Sequence, residues 1–167
     1  GDFVWFINAG DEIYAPDTLK NVMEAQPKAD VYYGETLIID DNRNAIGDRR
    51  LKPPQNVSWK SLKDGMLISH QAFVAKRNLV PYYDLYYRYS ADFDWMIRVL
   101  KAAEHIRHTG LYLARFLDGG RTKKTIVPGL KERFRIMAKH YGLVLTFFRH
   151  IPIGIRFFYF WARNKRF

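Results

Sequence analysis

The first side chains that could do chemistry follow directly on an apolar run at the start of the chain. The quartet Asn8-Ala9-Gly10-Asp11 comes after five large apolar residues, 3–7, which predict a strand buried on both faces. The side chains of Asn8 and Asp11 offer oxygen atoms of the kind that hold Mg²⁺ or Mn²⁺ on a diphosphate, and Gly10 allows a sharp turn. The alternative interpretation is a strand followed by an Asx-turn into a helix.

Two further polar groups stand where the sequence pattern changes. His70 and Gln71 interrupt an apolar run, and Asp92 and Asp94 open a helical pattern. Taken singly, His70 could be a core histidine, and Asp92 could be a charge at the positive end of a helix dipole. Because Asp92 and Asp94 are two residues apart, they point to different faces of a helix, and at most one of them can share a site with Asp11.

The elements that must position these groups alternate between strands and helices, which predicts an α/β fold. Pro16 suits the first turn of a short helix, and Ser90 is a candidate N-cap for a longer one. The predicted strands cover residues 3–7, 30–39, 45–46, 66–74 and 108–117, and the predicted helices follow Pro16, cover 58–62, follow Ser90 and cover 130–141.

Length and composition narrow the class of protein. A chain of 167 residues has room for one domain with a proper core, and a hydrophobic content of 48% excludes disorder. The absence of cysteine excludes a disulfide framework and a zinc-thiolate site. No signal peptide and no initiator Met are visible, and the chain begins within a strand pattern. We therefore expect that upstream sequence is missing.

The net charge of +10 is concentrated at one end of the chain. Residues 121–167 contain 12 Lys and Arg and a single acid, Glu132, whereas residues 1–120 contain 15 basic and 16 acidic side chains. The chain thus divides into a near-neutral α/β body, 1–120, and a strongly basic tail, 121–167. This asymmetry indicates an anionic partner for the tail, either a membrane surface or a nucleic acid.

The end of the tail, 142–167, combines aromatic residues with regularly spaced arginines. Arg149, Arg156 and Arg163 recur every seven residues and predict one basic stripe on a helix that Pro152 should break or kink. The arginines exclude a transmembrane span. Two interpretations remain open. One is an interfacial helix on anionic lipid, and the other is a terminal helix packed on the body with solvated arginines.

The order of these motifs resembles the family 2 glycosyltransferases of the GT-A fold, most closely the bacterial enzymes that build polysaccharide and lipopolysaccharide, colanic-acid-type transferases included. The resemblance covers roughly residues 1–140 and corresponds to the C-terminal part of such an enzyme. It rests on an Asp-x-Asp-type strand end, a Tyr-Gly-acid element, a His-Gln strand, an acidic helix start and a closing Gly-Gly, here Asn8-Ala9-Gly10-Asp11, Tyr33-Gly34-Glu35, Ser69-His70-Gln71, Ala91-Asp92-Phe93-Asp94 and Asp118-Gly119-Gly120.

The resemblance implies a partial GT-A-like mixed sheet flanked by helices, with the basic aromatic helical tail behind it. It implies transfer of a sugar, with inversion, from a nucleotide-diphosphate donor to an acceptor hydroxyl on a sugar or a lipid-linked acceptor. It also assigns roles to individual residues. The implied roles are catalytic base for Asp92, ligand of Mg²⁺ or Mn²⁺ for Asp11, and substrate binding for Asn8, His70, Gln71 and Asp94.

The chain departs from the family pattern in two ways. Asn8 replaces the first Asp of Asp-x-Asp and Gly10 stands at the third position, so metal binding rests largely on Asp11. The nucleotide-binding half that precedes this motif in the family does not precede it here. We therefore expect a fragment that binds nucleotide-sugars weakly by itself. The expected location is cytoplasmic and peripheral, on the inner face of the cell membrane.

Two other classes of function compete with this prediction. One is a non-catalytic remnant that acts through its tail as a lipid-surface or partner-binding protein. The other is a nucleic-acid-binding module, suggested by a pI of about 9.8 and by basic residues interleaved with aromatics. No recognised nucleic-acid motif supports it and the body is near neutral, so nucleic acid is the less favoured partner.

Overall fold

A mixed sheet of six strands forms the centre of the protein, in a computed structural model that describes residues 1–25, 29–118 and 126–164. Its order is β1-β5-β3-β6-β2, with β4 paired to the far half of β3, and only the β3–β6 pair is parallel. The strands are β1 (Phe3–Trp5), β2 (Glu12–Ile13), β3 (Val31–Ile39), β4 (Ala45–Asp48), β5 (Phe73–Lys76) and β6 (Ile106–Leu117).

Helices cover both faces of this sheet, and this coarse α/β architecture confirms the fold class expected from the sequence. The α-helices are α1 (Thr18–Ala25), α2 (Ala91–Ala102), α3 (Ile126–Tyr141) and α4 (Leu143–Asn164). Short 3₁₀ turns cover Trp59–Asp64, His70–Ala72 and Arg77–Leu79. Two turns lie side by side at one edge of the sheet. The loop at 8–11 follows β1, and the 3₁₀ turn at 70–72 precedes the antiparallel strand β5.

The alternation of side chains along the central strand divides the core into two parts. Val31 and Tyr33 lie in the larger cluster, against α2, α3 and the 59–64 turn, whereas Tyr32 lies in the smaller cluster with Val22 of α1. The helix predicted after Ser90 is confirmed as α2, and one of its faces is fully or almost fully buried in the larger cluster: Phe93, Met96, Ile97 and Leu100.

β3 and β6 come unusually close together at Gly34. A Cβ atom at this position would lie 2.4 Å from the carbonyl oxygen of Leu111 and 2.7 Å from Oγ1 of Thr109. β6 is irregular here, since Tyr33 pairs with His108 but Glu35 pairs with Tyr112. The Thr109 hydroxyl donates to the Tyr33 carbonyl at 3.1 Å and accepts from the Leu111 N–H, so it fills part of the bulge. Only glycine fits opposite this bulge.

Two strand predictions are corrected by the structure. β1 is an edge strand whose residues are only half-buried, because it pairs with β5 alone, so it is not buried on both faces. Of the apolar run at 66–74, only its last two residues belong to a strand, and this strand continues to Lys76. Residues 70–72 instead form a 3₁₀ turn, in which the side chains of Ser69 and Gln71 make local and long-range hydrogen bonds.

The helices after residue 125 differ from the prediction at Pro152. This residue lies inside α4, which continues from Leu143 to Asn164, so the proline does not break the helix. A proline removes one N–H donor, whose partner would be the carbonyl of Phe148, and the remaining bonds on either side carry the helix past it. α3 contributes Ile136 and Met137 to the larger core cluster.

Some features named above fall outside the part of the chain that the structure describes. These are Gly119, Gly120 and the basic stretch 121–125, together with the side chains of Arg156 and Arg163.

We expect Gly34→Ala to destabilise the protein by about 1–3 kcal/mol, because the new methyl group would overlap backbone of β6 that cannot move away without breaking the parallel pairing. Gly154→Ala is the matched control. This glycine is helical and a Cβ there meets nothing within 4 Å, so we expect no loss or a gain of up to about 1 kcal/mol. Urea denaturation measures both, and equal stability of the two variants would refute the close-approach argument.

Candidate functional site

The loop at residues 8–11 is a tight backbone turn. The Asp11 N–H donates to the Asn8 carbonyl at 3.0 Å, and Gly10 has a φ of +96°, which favours glycine. Arg43, from the hairpin between β3 and β4, donates to the Gly10 carbonyl at 2.6 Å. The chain then enters β2 at Glu12 rather than a helix. The turn therefore lies at the end of β1, as predicted, and holds Asn8 exposed at the surface.

The carboxylate of Asp11 is fixed by two donors from other parts of the chain. Gln71 donates its side-chain amide to Oδ2 at 2.6 Å, and the backbone N–H of Leu117, at the end of β6, donates to Oδ1 at 3.0 Å. Gln71 is almost fully buried, its amide oxygen accepts from the Ser69 hydroxyl, and its backbone carbonyl accepts from the Trp5 indole. Gln71 therefore connects the 8–11 loop with the turn before β5.

The neighbouring residue of the same turn contacts the second carboxylate. His70 Nδ1 lies 3.1 Å from Oδ2 of Asp92, and Oδ1 of Asp92 accepts from the Phe93 N–H at 2.9 Å. Burial by itself would raise the pKa of Asp92. The hydrogen bond and charge of His70 and the charge of Arg133 outweigh it, so the pKa lies below its usual value. Asp92 is therefore a carboxylate at neutral pH, held in a fixed orientation at the start of α2.

One 3₁₀ turn thus brings together four of the residues singled out from the sequence. Gln71 binds Asp11 on one side of the turn, and His70 binds Asp92 on the other. We call the set Asp11, His70, Gln71 and Asp92 the acidic edge. It lies where β1 ends and β5 begins, and both ends meet at one edge because these strands are antiparallel. In α/β sheets the carboxyl edge of the strands is the usual place for a ligand.

Asp94 is not part of the acidic edge. Its side chain is fully buried, where Oδ2 accepts from Arg98 Nε at 2.6 Å and Oδ1 lies 2.8 Å from His140 Nε2. Burial would raise its pKa, but the hydrogen bonds from His140 and Arg98 hold the pKa of Asp94 below its usual value. Asp94 joins α2 to α3, on a different face from Asp92, as their spacing required. Direct contact with a substrate would require it to leave these partners.

Glu132 of α3 holds the loop that leads into α2. Its carboxylate accepts backbone N–H groups of Arg88, Tyr89 and Ser90 at 2.7 to 2.9 Å. Ser90 stands at the predicted N-cap position, but its hydroxyl donates to the Gly129 carbonyl at 3.2 Å instead of capping the helix. The start of α2, and with it Asp92, is therefore fixed from α3. We call these three contacts the Glu132 clamp.

Nothing in the sequence indicated that two arginines lie near Asp92. Arg49 donates to three backbone carbonyls, those of Leu51, Met66 and Leu67. Burial lowers the pKa of Arg49 to about 10, with a further contribution from the charge of Arg133, and it stays protonated at neutral pH. Arg49 and Arg133 are far from Asp92 in sequence and belong to no motif, so only the fold reveals their positive charge beside the acidic edge.

The acidic edge by itself offers few ligands for a metal ion. Within the described ranges, no three His, Asp or Glu side chains form a cluster that could hold one. Each oxygen of Asp11 accepts one hydrogen bond and keeps capacity for another interaction. Mg²⁺ is commonly held by one or two carboxylates together with phosphate oxygens of the substrate. Asp11 therefore fits an ion that arrives with a diphosphate, and not a site formed by protein alone.

Comparison with solved structures gives a likeness in fold. No protein-family model matches the chain, and no curated protein sequence matches it. The crystal structure of S. aureus TarS 1–349 matches with a TM-score of 0.52 and 14% sequence identity, over 91% of this chain and 48% of that one. TarS is a glycosyltransferase, so the chain has a partial glycosyltransferase-like fold. It spans about half the length of that structure.

The contacts of Asp94 predict a pH-dependent stability. Burial and the charges of Lys101 and Lys139 lower the pKa of His140, so the neutral imidazole bridges Lys101 and Asp94 in the folded state. The unfolded chain binds a proton at a pH near 6.5, before the folded chain does. The contribution of His140 is therefore complete above that pH and is lost as the pH falls through the lower folded pKa.

We expect the free energy of unfolding to fall as the pH drops below about 6.5, and His140→Gln to remove part of this dependence. The variant should also cost about 1–2 kcal/mol at pH 7, because Asp94 loses a partner in the core. His105→Gln, at an exposed residue, is the control. Urea denaturation at several pH values tests this, and identical pH slopes for the wild type and His140→Gln would contradict it.

Proposed function

We propose that this chain is the acceptor-side part of an inverting glycosyltransferase, which moves a sugar from a nucleoside-diphosphate donor to a hydroxyl of a sugar or lipid-linked acceptor. The observation that carries the proposal is the acidic edge, where one 3₁₀ turn binds Asp11 through Gln71 and Asp92 through His70. The likeness in fold to a glycosyltransferase supports it. The membership in family 2 and a role in cell-surface polysaccharide or lipopolysaccharide synthesis belong to the same proposal.

In this proposal Asp92 is the catalytic base. The acceptor hydroxyl attacks the anomeric carbon and loses its proton to the Asp92 carboxylate, while the bond between that carbon and the diphosphate oxygen breaks on the opposite face. The lowered pKa of Asp92 keeps the carboxylate ionised and ready to accept the proton. His70 holds Oδ2 at 3.1 Å and fixes the direction of the carboxylate. Fixed orientation matters because the base must meet one hydroxyl of the acceptor.

Asp11 and the exposed Asn8 would hold the diphosphate end of the donor. Bound there, Mg²⁺ or Mn²⁺ would neutralise the negative charge of the departing diphosphate. Gln71 and the N–H of Leu117 keep the Asp11 carboxylate pointing in one direction. In this scheme His70 contacts the substrate, whereas the buried Gln71 acts through the position of Asp11. The buried Asp94 acts in this scheme through the position of α2.

Asp92→Asn tests the assignment of the base, since the amide keeps the shape of the side chain but cannot accept the proton. In the enzyme that contains this part together with a nucleotide-binding half, we expect nucleoside-diphosphate release from a panel of nucleotide-sugars with Mn²⁺ to fall by about 100-fold or more, with little change in KM. Asp41→Asn, in the exposed hairpin between β3 and β4, is the matched control and should retain full activity. Near-normal turnover of Asp92→Asn would exclude Asp92 as the base.

Asp11→Asn tests the diphosphate end independently of the base. In the same enzyme it should raise the Mn²⁺ concentration needed for half-maximal activity by about tenfold or more, because one anionic ligand is lost. Mn²⁺ titrations of the wild type and of Asp41→Asn give the reference. An unchanged Mn²⁺ requirement would remove Asp11 from the metal site and leave the proposal for Asp92 intact.

A further inference from the structure

The last helix, α4, has one face turned toward the body. Thr146 is 1% exposed, and Arg149 donates to Asp64 Oδ1 at 2.8 Å. His150 packs edge-on against Phe134, and Ile153 lies against the larger core cluster. These contacts, at positions three or four residues apart, fix the rotation of α4 about its own axis. The helix is therefore docked on α3 and on the 59–64 turn. These contacts also fix which side chains of α4 point away from the rest of the protein.

The opposite side of α4 is apolar and open. We call it the outer face. Its side chains are 42% to 71% exposed, and they recur at helical spacing along more than four turns of the helix. They are Leu143, Val144, Leu145, Phe147, Phe148, Ile151, Ile155 and Tyr159. Isolated exposed apolar residues are ordinary on a protein surface, but a continuous row of large ones marks an interaction site.

The segment that carries the outer face is strongly basic in sequence. α4 contains no acidic residue, and the segment 121–167 contains 12 Lys and Arg against Glu132 alone. The carboxylate of Glu132 is already occupied by the Glu132 clamp. Lys131 and Arg135 of α3 are exposed. A partner that covers this surface must therefore accept large apolar side chains and carry negative charge.

The dimensions of α4 suit a helix that lies along a surface. Its 22 residues span about 33 Å. Among the helices that the structure describes, none combines the length and apolarity that crossing a bilayer requires. One apolar face, one docked face and a surplus of positive charge are the combination by which a helix lies in the interfacial region of an anionic membrane.

We propose that the outer face of α4 binds the surface of an anionic lipid bilayer, with the helix axis parallel to the membrane and Phe147, Phe148 and Ile151 inserted between the headgroups. The Arg149–Asp64 ion pair and the buried Thr146 hold this face outward before any lipid is met. The site is thus preformed, and lipid binding costs little ordering of the chain. The proposal does not depend on the catalytic one.

Vesicle co-sedimentation of the 167-residue protein tests the proposal. We expect binding to phosphatidylcholine vesicles that contain about 30% phosphatidylglycerol, and much weaker binding to phosphatidylcholine alone. Raising NaCl from about 50 mM to about 500 mM should weaken the binding, because screening reduces the attraction between the basic side chains and the lipid. Protein that stays in the supernatant with anionic vesicles at low salt, or that sediments equally without lipid, would overturn the proposal.

Substitution on the outer face locates the contact. The double variant Phe147→Ser, Phe148→Ser should bind anionic vesicles about tenfold or more weakly than the wild type. The control is Tyr82→Ser, Leu85→Ser, which removes similarly exposed apolar groups, 97% and 92% exposed, from a loop outside α4. This variant should bind as the wild type does. Equal binding by the two double variants would refute a contact through the outer face.

A second readout does not depend on removing large side chains. The chain has no cysteine, so a single Ile151→Cys variant can carry an environment-sensitive dye at one place. Its emission should shift to the blue on anionic vesicles, whereas the same dye at Tyr82→Cys should not respond. A dye at residue 151 that remains in water while the protein binds the vesicles would contradict the proposed orientation of α4.

Discussion

The approach of β3 to β6 at Gly34 is the constraint on which the rest of the sheet depends. Between the Tyr33–His108 pair and the Thr36–Ala114 pair, β6 uses three residues more than β3, and the surplus is held in a bulge that only a glycine can face. Because β6 runs parallel to β3 from the end of α2, this register decides where β6 ends. The Leu117 N–H consequently reaches the Asp11 carboxylate, on a loop more than 100 residues earlier in the chain.

The acidic edge depends in turn on a buried amide. Gln71 is 1% exposed, and a buried amide without partners would be costly, yet the Ser69 hydroxyl and the Asp11 carboxylate satisfy both ends of its side chain. The residue therefore has one favourable conformation, and that conformation also sets the direction of His70, its neighbour in the turn. Two carboxylates of different elements are in this way positioned by adjacent residues of one short segment.

Sequence patterns could identify the groups of the acidic edge but not their contacts. The helical pattern after Ser90 predicted α2, and the two-residue spacing predicted that Asp92 and Asp94 would separate. The alternation of apolar and polar residues could not show that 70–72 forms a 3₁₀ turn, because Gln71 is held there by a hydrogen bond to Asp11, 60 residues away. The sequence also could not predict the positions of Arg49 and Arg133 or the Glu132 clamp, because each acts through tertiary contacts without a local motif. The division of the chain at residue 120, and the roles of individual residues in binding and catalysis, stay predictions.

The Glu132 clamp has a consequence for how any anionic ligand meets α2. The first turn of a helix normally attracts phosphates, because its N–H groups are unpaired and the dipole is positive there. Here a carboxylate of the same chain occupies the three N–H groups that lead into α2, and it does so at the high effective concentration of a tethered group. These N–H groups belong to the residues just before the helix, so the carboxylate stands beside the positive end of α2. Its negative charge opposes the approach of a phosphate to that end.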